Sequence, residues 1–274
     1  MGGLNPTPAG SADNPPGDDS RRPATTIHLL GTACWVATIG WAVQMDMGLW
    51  GMPGTMGMSF GSFLVMWTLM MAAMMLSSMA PLALLYSRTI TTHRGPRLTA
   101  FGSGYIMAWG ATGVAAFIAA DFFAEIAADR PTAAQWVAVA CFMAAGFYQL
   151  TPLKMRCLEH CRSPLAHLMH YIGFKGPARD MRAGAHHGMF CLGCCWALMV
   201  LMVAFGVMNV AAMVGLALVI AVEKHWRHGE RFARTVGVVA VGWALLIVVD
   251  PSFAPGLDPD AIMQMDMPTG DMGS

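Results

Sequence analysis

From residue 27 to residue 249 the chain is built of long apolar blocks separated by short basic or polar breaks. The blocks run over 27–44, 60–86, 98–126, 133–153, 188–206, 208–224 and 232–249, and each meets or approaches the roughly 20 residues that carry a helix across a bilayer. The pattern predicts an all-α, polytopic transmembrane bundle of about seven spans. The doubtful stretch is 188–224, which reads either as one long helix or as a hairpin turning at Gly206, Val207, Met208 and Asn209. The basic residues decide it. With seven spans and a cytoplasmic N-terminus, Arg88, Arg94, Arg97, Lys154, Arg156, Lys175, Lys224, Arg231 and their neighbours all face the cytoplasm, and only Arg130 lies outside. A single span over 188–224 would send Lys224, Arg227, Arg231 and Arg234 to the far side, against the positive-inside rule. The hairpin is therefore expected, with the C-terminus outside and the whole chain in the inner (cytoplasmic) membrane. Residues 1–23, rich in Pro, Gly and Asp, read as a disordered tail. Residues 24–250 form the membrane domain, and 251–274 a flexible tail rich in Met and Asp.

Composition agrees with lipid as the main solvent: 56% of residues are hydrophobic and 12% charged. Sixteen basic and sixteen acidic residues cancel, which leaves no charge excess for nucleic acid. No glycine-rich phosphate loop appears, so any ATP drive is expected from a partner. Methionine changes the picture, at 26 residues against 4 Tyr, because thioethers are soft metal ligands as well as adaptable packing groups.

Five of seven cysteines crowd between Cys157 and Cys195. Cys157, His160 and Cys161 follow the fourth span; Cys191, Cys194 and Cys195 open the fifth, flanked by His186 and His187. On helices, Cys157 and Cys161 share a face, as do Cys191 and Cys195. Two helix ends then present thiolates at one depth, a donor set that suits Cu(I) and also tetrahedral zinc. A second soft set is expected on the outer face, where Met45, Met47, Met52, Met56 and Met58 alternate between spans one and two and Met263, Met265 and Met267 do so in the tail. Such segments are poor core material, so ligation explains the methionines better than packing does. A third lies within span two, where Met66, Met70 and Met74 follow one four-residue row and Met71, Met75 and Met79 its neighbour. That row reads equally as a ladder for soft ions or as packing, and it resembles, in motif only, the methionine spacing of Ctr-class copper channels. Glu223 and Lys224 read as a boundary pair, and Asp121 and Glu125 as surface partners of Arg130 or a cation-uptake site.

Three longer motifs, MMAAMMLSSMAPLALLY, GFYQLTPLKMRCLEHCRSPL and HGMFCLGCCWALMVLMVAFGVMN, resemble a bacterial family of predicted metal-binding integral membrane proteins of unknown function, sometimes labelled copper chaperones. The resemblance covers roughly residues 60–250 and implies a membrane location and a metal. Together these readings lead to the expectation of a copper-handling membrane protein with Cu(I) as its ion, zinc as the alternative, and a copper donor or acceptor protein as partner. Two rivals use the same residues: a membrane thiol-disulfide oxidoreductase, and a structural zinc site in a subunit of a larger membrane complex.

Overall fold

A computed structural model describes residues 22–44, 54–55, 57–207 and 209–254. Nine α-helices are found among them: α1 (Arg22–Gln44), α2 (Phe60–Thr89), α3 (Arg94–Asp129), α4 (Pro131–Leu150), α5 (Pro152–Arg162), α6 (Pro164–Ile172), α7 (Arg179–Phe205), α8 (Val210–His225) and α9 (Gly229–Val249). The described residues contain no strand. Six of the helices, α1, α2, α3, α4, α7 and α9, are long and apolar enough to cross a membrane. Their outward faces carry Leu29, Val36, Ile118, Trp136, Val239 and Leu245 in exposed positions, and such a surface is compatible with a lipid bilayer.

Proline and asparagine set the breaks. Thr151 is extended and accepts a hydrogen bond from the Lys154 amide, and Pro152 then starts α5, because the residue before a proline is held out of the helical region. The expected hairpin appears between α7 and α8. Gly206 takes a left-handed φ of 95°, and the Asn209 side chain caps α8 by accepting from the Ala212 amide at 2.8 Å. The α8 helix has 16 residues, or about 24 Å, shorter than the six.

The helix α2 is the most deeply buried of the six and packs against α1, α3, α6 and α8, while α7 packs against α3, α4, α5 and α8. Small residues let α3 and α7 approach backbone to backbone. A Cβ added at Gly184 would lie 1.8 Å from the Phe101 carbonyl oxygen, and one at Gly104 would lie 2.0 Å from that of Met181. Gly188, one turn beyond Gly184, would meet Ala108 at 2.8 Å. This is the small-xxx-small packing of membrane helices. Gly146 and Gly237 do the same between α4 and α9.

Sequence reading placed the cysteines of the 191–195 group at the start of the fifth span. Instead α7 begins at Arg179, and the group sits three turns inside it. At the end of α8, Lys224 stands beside Cys191, so the first turns of α7 run on beyond α8 by about 18 Å. The end of α2 and the start of α3 accompany them. Tyr86 donates to Asp180 at 2.5 Å, and Arg97 pairs with the same carboxylate at 2.9 Å, which joins α2, α3 and α7. The two short helices lie against this projection, α5 on α7 and α6 on α2.

If the α3–α7 approach holds the bundle, Gly184→Val will force the helices apart, lowering the melting temperature in detergent by at least several degrees, as overpacking costs of about 1–3 kcal/mol imply. Gly215→Ala, where an added Cβ meets nothing within 4 Å, will melt within a few degrees of the parent.

Candidate metal centre

The site is assembled from α5 and α7. Cys191, Cys194 and Cys195 occupy one turn of α7, all three buried, and Cys161 reaches them from the last turn of α5. The sulfurs of Cys161, Cys191 and Cys194 all lie within 4.8 Å of one another. Cys161 and Cys194 are 3.6 Å apart, and Cys194 and Cys195 3.2 Å. A metal bound about 2.3 Å from each of three thiolates needs sulfurs roughly 4 Å apart. The trio therefore suits a metal ion with little rearrangement, and Cys195 stands next to it as a fourth sulfur.

Cys157 is placed differently. It lies against Gly193, where an added Cβ would come within 2.9 Å of the Cys157 sulfur, and it is outside the close trio. The expected facing pairs are thus one cysteine from α5 against a group from α7. The histidines also stand apart from the trio. His160 stacks on Phe190 with ring centroids 3.5 Å apart, His187 stacks on Tyr105, and His186 lies among His170, Tyr171 and Phe190. They build an aromatic cover between α5, α6 and α7.

Several functional side chains escaped the sequence reading. Lys224 does not sit at a surface boundary with Glu223. Its ammonium is buried and donates to Cys191 Sγ at 3.0 Å and to Ser78 Oγ at 3.2 Å. The Tyr105 hydroxyl lies 3.0 Å from the same sulfur and 3.1 Å from the Met75 carbonyl, to which it donates. Glu223 pairs instead with Lys154 at 2.7 Å, with both side chains about 1% exposed or less, and Gln149 donates to its other oxygen at 2.6 Å. Lys154 also donates to the Cys194 carbonyl, and Tyr148 to that of Gly193. The cysteine turn is thus gripped by its carbonyls on one side and by a sulfur on the other. The missed signal was modest: Lys154, Glu223 and Lys224 lie at the very ends of apolar runs, where charges usually meet solvent.

Burial works against the charge on Lys154, but the Glu223 carboxylate more than offsets it, so the ammonium is held above its ordinary range. The Cys161 thiol is pushed up by its contact with Cys191 and by burial, against the pull of Cys194 and Lys224. Burial likewise raises Cys157, opposed by Lys154. An ammonium 3.0 Å from Cys191 supplies countercharge where a metal–thiolate complex would carry negative charge.

The methionines of span two are all interior: Met66, Met70 and Met74 are at most 4% exposed, and Met71, Met75 and Met79 at most 2%. The row Met66–Met70–Met74 continues in steps of four to Ser78, which contacts Lys224 and lies 4.0 Å from the Cys191 sulfur. On α7, Met199 follows Cys195 by one turn and is buried, as are Met202 and, on α8, Met213. Of the outer set, Met58 is half-buried and packs on the core. Met45, Met47, Met52, Met56, Met263, Met265 and Met267 lie outside the described residues. Asp121 and Glu125 are exposed on α3, and no ion pair joins them to Arg130 among the described residues.

No curated protein and no solved structure matches the chain. Residues 64–247 match the family described as PpoB2, copper chaperone, a stretch that contains the buried methionine rows, every cysteine of the centre and both buried lysines. With about two thirds of its length covered by that match, the chain belongs to the PpoB2 copper chaperone family.

Proposed function

We propose that this protein binds Cu(I) at Cys161, Cys191 and Cys194 and passes it across or along the inner membrane to an acceptor protein, as a transporter or metallochaperone and not as an enzyme. The observation that carries the reading is the trio of sulfurs within 4.8 Å of one another, two buried and one half-buried. Three thiolates satisfy Cu(I), which takes soft ligands in low coordination, while zinc would also have to draw in a fourth ligand such as Cys195. The family description supplies copper independently.

The same reading includes the topology. Taking α8 as a seventh crossing keeps Arg227, Arg231 and Arg234 on the side of Arg88, Arg94, Arg97 and Arg156, and it places the N-terminus in the cytoplasm and the C-terminus outside. The cysteine centre then lies at the cytoplasmic boundary beneath α5 and α6. Methionines of the outer loop and tail capture the ion, and the row Met66–Met70–Met74 leads it to Ser78 beside Cys191. A membrane potential negative inside favours inward movement of the cation by about 2.3 kcal/mol per 100 mV.

A second reading, thiol-disulfide exchange, is favoured by the 3.2 Å and 3.6 Å sulfur separations around Cys194. A structural zinc site fastening α5 to α7 is the third. Metal analysis and Cu(I) titration of the detergent-purified protein separate them. Copper bound at one equivalent, and lost in Cys191→Ser and Cys161→Ser, supports the proposal. Zinc alone, indifferent to the methionines, supports the structural site, and a titrating disulfide without metal supports the oxidoreductase.

Three outcomes are expected. Cys191→Ser and Cys194→Ser weaken Cu(I) binding by more than the tenfold to hundredfold that is typical of losing an outer-shell partner, whereas Cys157→Ser changes it only by a few-fold, read by competition with a chromogenic chelator. Lys224→Gln, which keeps a donor but removes the countercharge, costs roughly tenfold to hundredfold in the same assay, and Lys224→Arg recovers part of it. Because the raised Cys161 thiol stays protonated at neutral pH, loading with Cu(I) releases at least one proton, measurable with a pH dye in weak buffer. Affinity then climbs as pH rises towards the Cys161 pKa, by about tenfold per unit for each proton released.

A further inference from the structure

A long cavity of about 1200 Å³ opens between α1, α2 and α3, away from the cysteine centre of α5 and α7. Its lining changes character along its length. One end is apolar, with Leu30 and Cys34 of α1, Leu76 of α2 and Ile106 of α3; the other carries Arg88 and Arg94 at the turn between α2 and α3. On α2 the lining extends from Ala72 to Arg88, about 24 Å along the helix, whereas one leaflet of hydrocarbon is about 15 Å deep. A cavity of that length runs from headgroup level through the full depth of a leaflet.

The charged end has cations and no anion. Arg88 and Arg94 are exposed, and no carboxylate of the described residues pairs with either. Arg94 uses its Nε to donate to the Ile90 carbonyl at 2.8 Å, which fixes the side chain and leaves its terminal nitrogens to other partners. Between the ends, Gly95 and Gly102 face open space: an added Cβ meets nothing within 4 Å at either position. The room is therefore not filled by the protein itself.

We propose that this cavity is a binding site for an anionic phospholipid, with its phosphate at Arg88 and Arg94 and an acyl chain along Leu30, Cys34, Leu76 and Ile106. Charge complementarity selects the headgroup, since basic residues at a membrane surface attract anionic lipid. The apolar length selects a lipid over free phosphate. The inference rests on the membrane reading of the helices and is independent of copper.

The test is native mass spectrometry of the full chain in neutral detergent with equal phosphatidylglycerol and phosphatidylcholine of matched acyl chains. Phosphatidylglycerol is expected to be retained at least about tenfold over phosphatidylcholine, as roughly 1 kcal/mol for each arginine implies. Arg88→Gln with Arg94→Gln removes the preference, Arg88→Gln alone halves it or more without touching the Arg94–Ile90 bond, and Gly102→Trp lowers retention of both lipids by filling the cavity. Inorganic phosphate in excess leaves the lipid bound. An unaltered melting temperature shows that each variant is folded. Equal retention of the two lipids, a preference that survives the double arginine variant, retention unchanged in Gly102→Trp, or displacement by phosphate would each overturn the proposal.

Discussion

The bundle depends on one close approach, the crossing of α3 and α7 at Gly104, Gly184 and Gly188. In lipid there is little hydrophobic gain from bringing two helices together, so association rests on van der Waals contact and on polar groups that find partners. Glycine supplies that contact by letting carbonyl oxygens sit where any Cβ would clash. The site follows from this. Tyr105 is the residue after Gly104, and it reaches both the Cys191 sulfur and the Met75 carbonyl because the two helix backbones are nearly in contact. Its ring also provides the surface on which His187 stacks. A looser crossing would separate the α3 hydroxyl from the α7 sulfur and open the cover above the thiols.

Buried charge is the second constraint, and it is expensive. Lys154 and Glu223 are removed from solvent together, and such a pair is tolerated when its remaining hydrogen-bond capacity is also satisfied. Here much of it is: Gln149 donates to one oxygen of Glu223, and the Cys194 carbonyl accepts a hydrogen bond from Lys154. The second of these contacts bears on the turn that carries the cysteines. The pair links α4–α5, α7 and α8 at the depth of the centre. Among the described residues no carboxylate pairs with Lys224; its partners are a sulfur and a hydroxyl. That asymmetry fits a site whose anion arrives as a metal–thiolate complex.

Much of the fold could be read in advance, and the limits were physical. Apolar block length located the helices, and the basic residues after 224 argued for a break near Gly206, which Gly206 and Asn209 make by a left-handed φ and a side-chain cap. The cysteines stood out by their number and spacing. Which of them converge did not, because that depends on how Pro152 restarts the chain as α5 and on the angle at which α5 meets α7. A shift of one turn separates Cys161, which joins the trio, from Cys157, which meets Gly193. Tyr105, Ser78 and Lys224 lie 86, 113 and 33 positions from Cys191 along the chain, and no local pattern marks such partners.

On the Cu(I) reading proposed above, the donor set of the centre also bears on the choice between a soft monovalent ion and a hard divalent one. Carboxylates suit hard cations, yet the Glu223 carboxylate already has both oxygens engaged by Lys154 and Gln149. The side-chain groups set against the sulfurs are other sulfurs, hydroxyls and an ammonium. An incoming dication would meet the Lys224 ammonium beside Cys191 at its full charge, and a monocation meets half that repulsion. With three thiolates the Cu(I) complex is still anionic, so the lysine changes from an obstacle into a counterion once the sulfurs have lost their protons. On the Cu(I) reading, the ammonium that opposes an incoming cation is also what makes the buried thiolates tolerable.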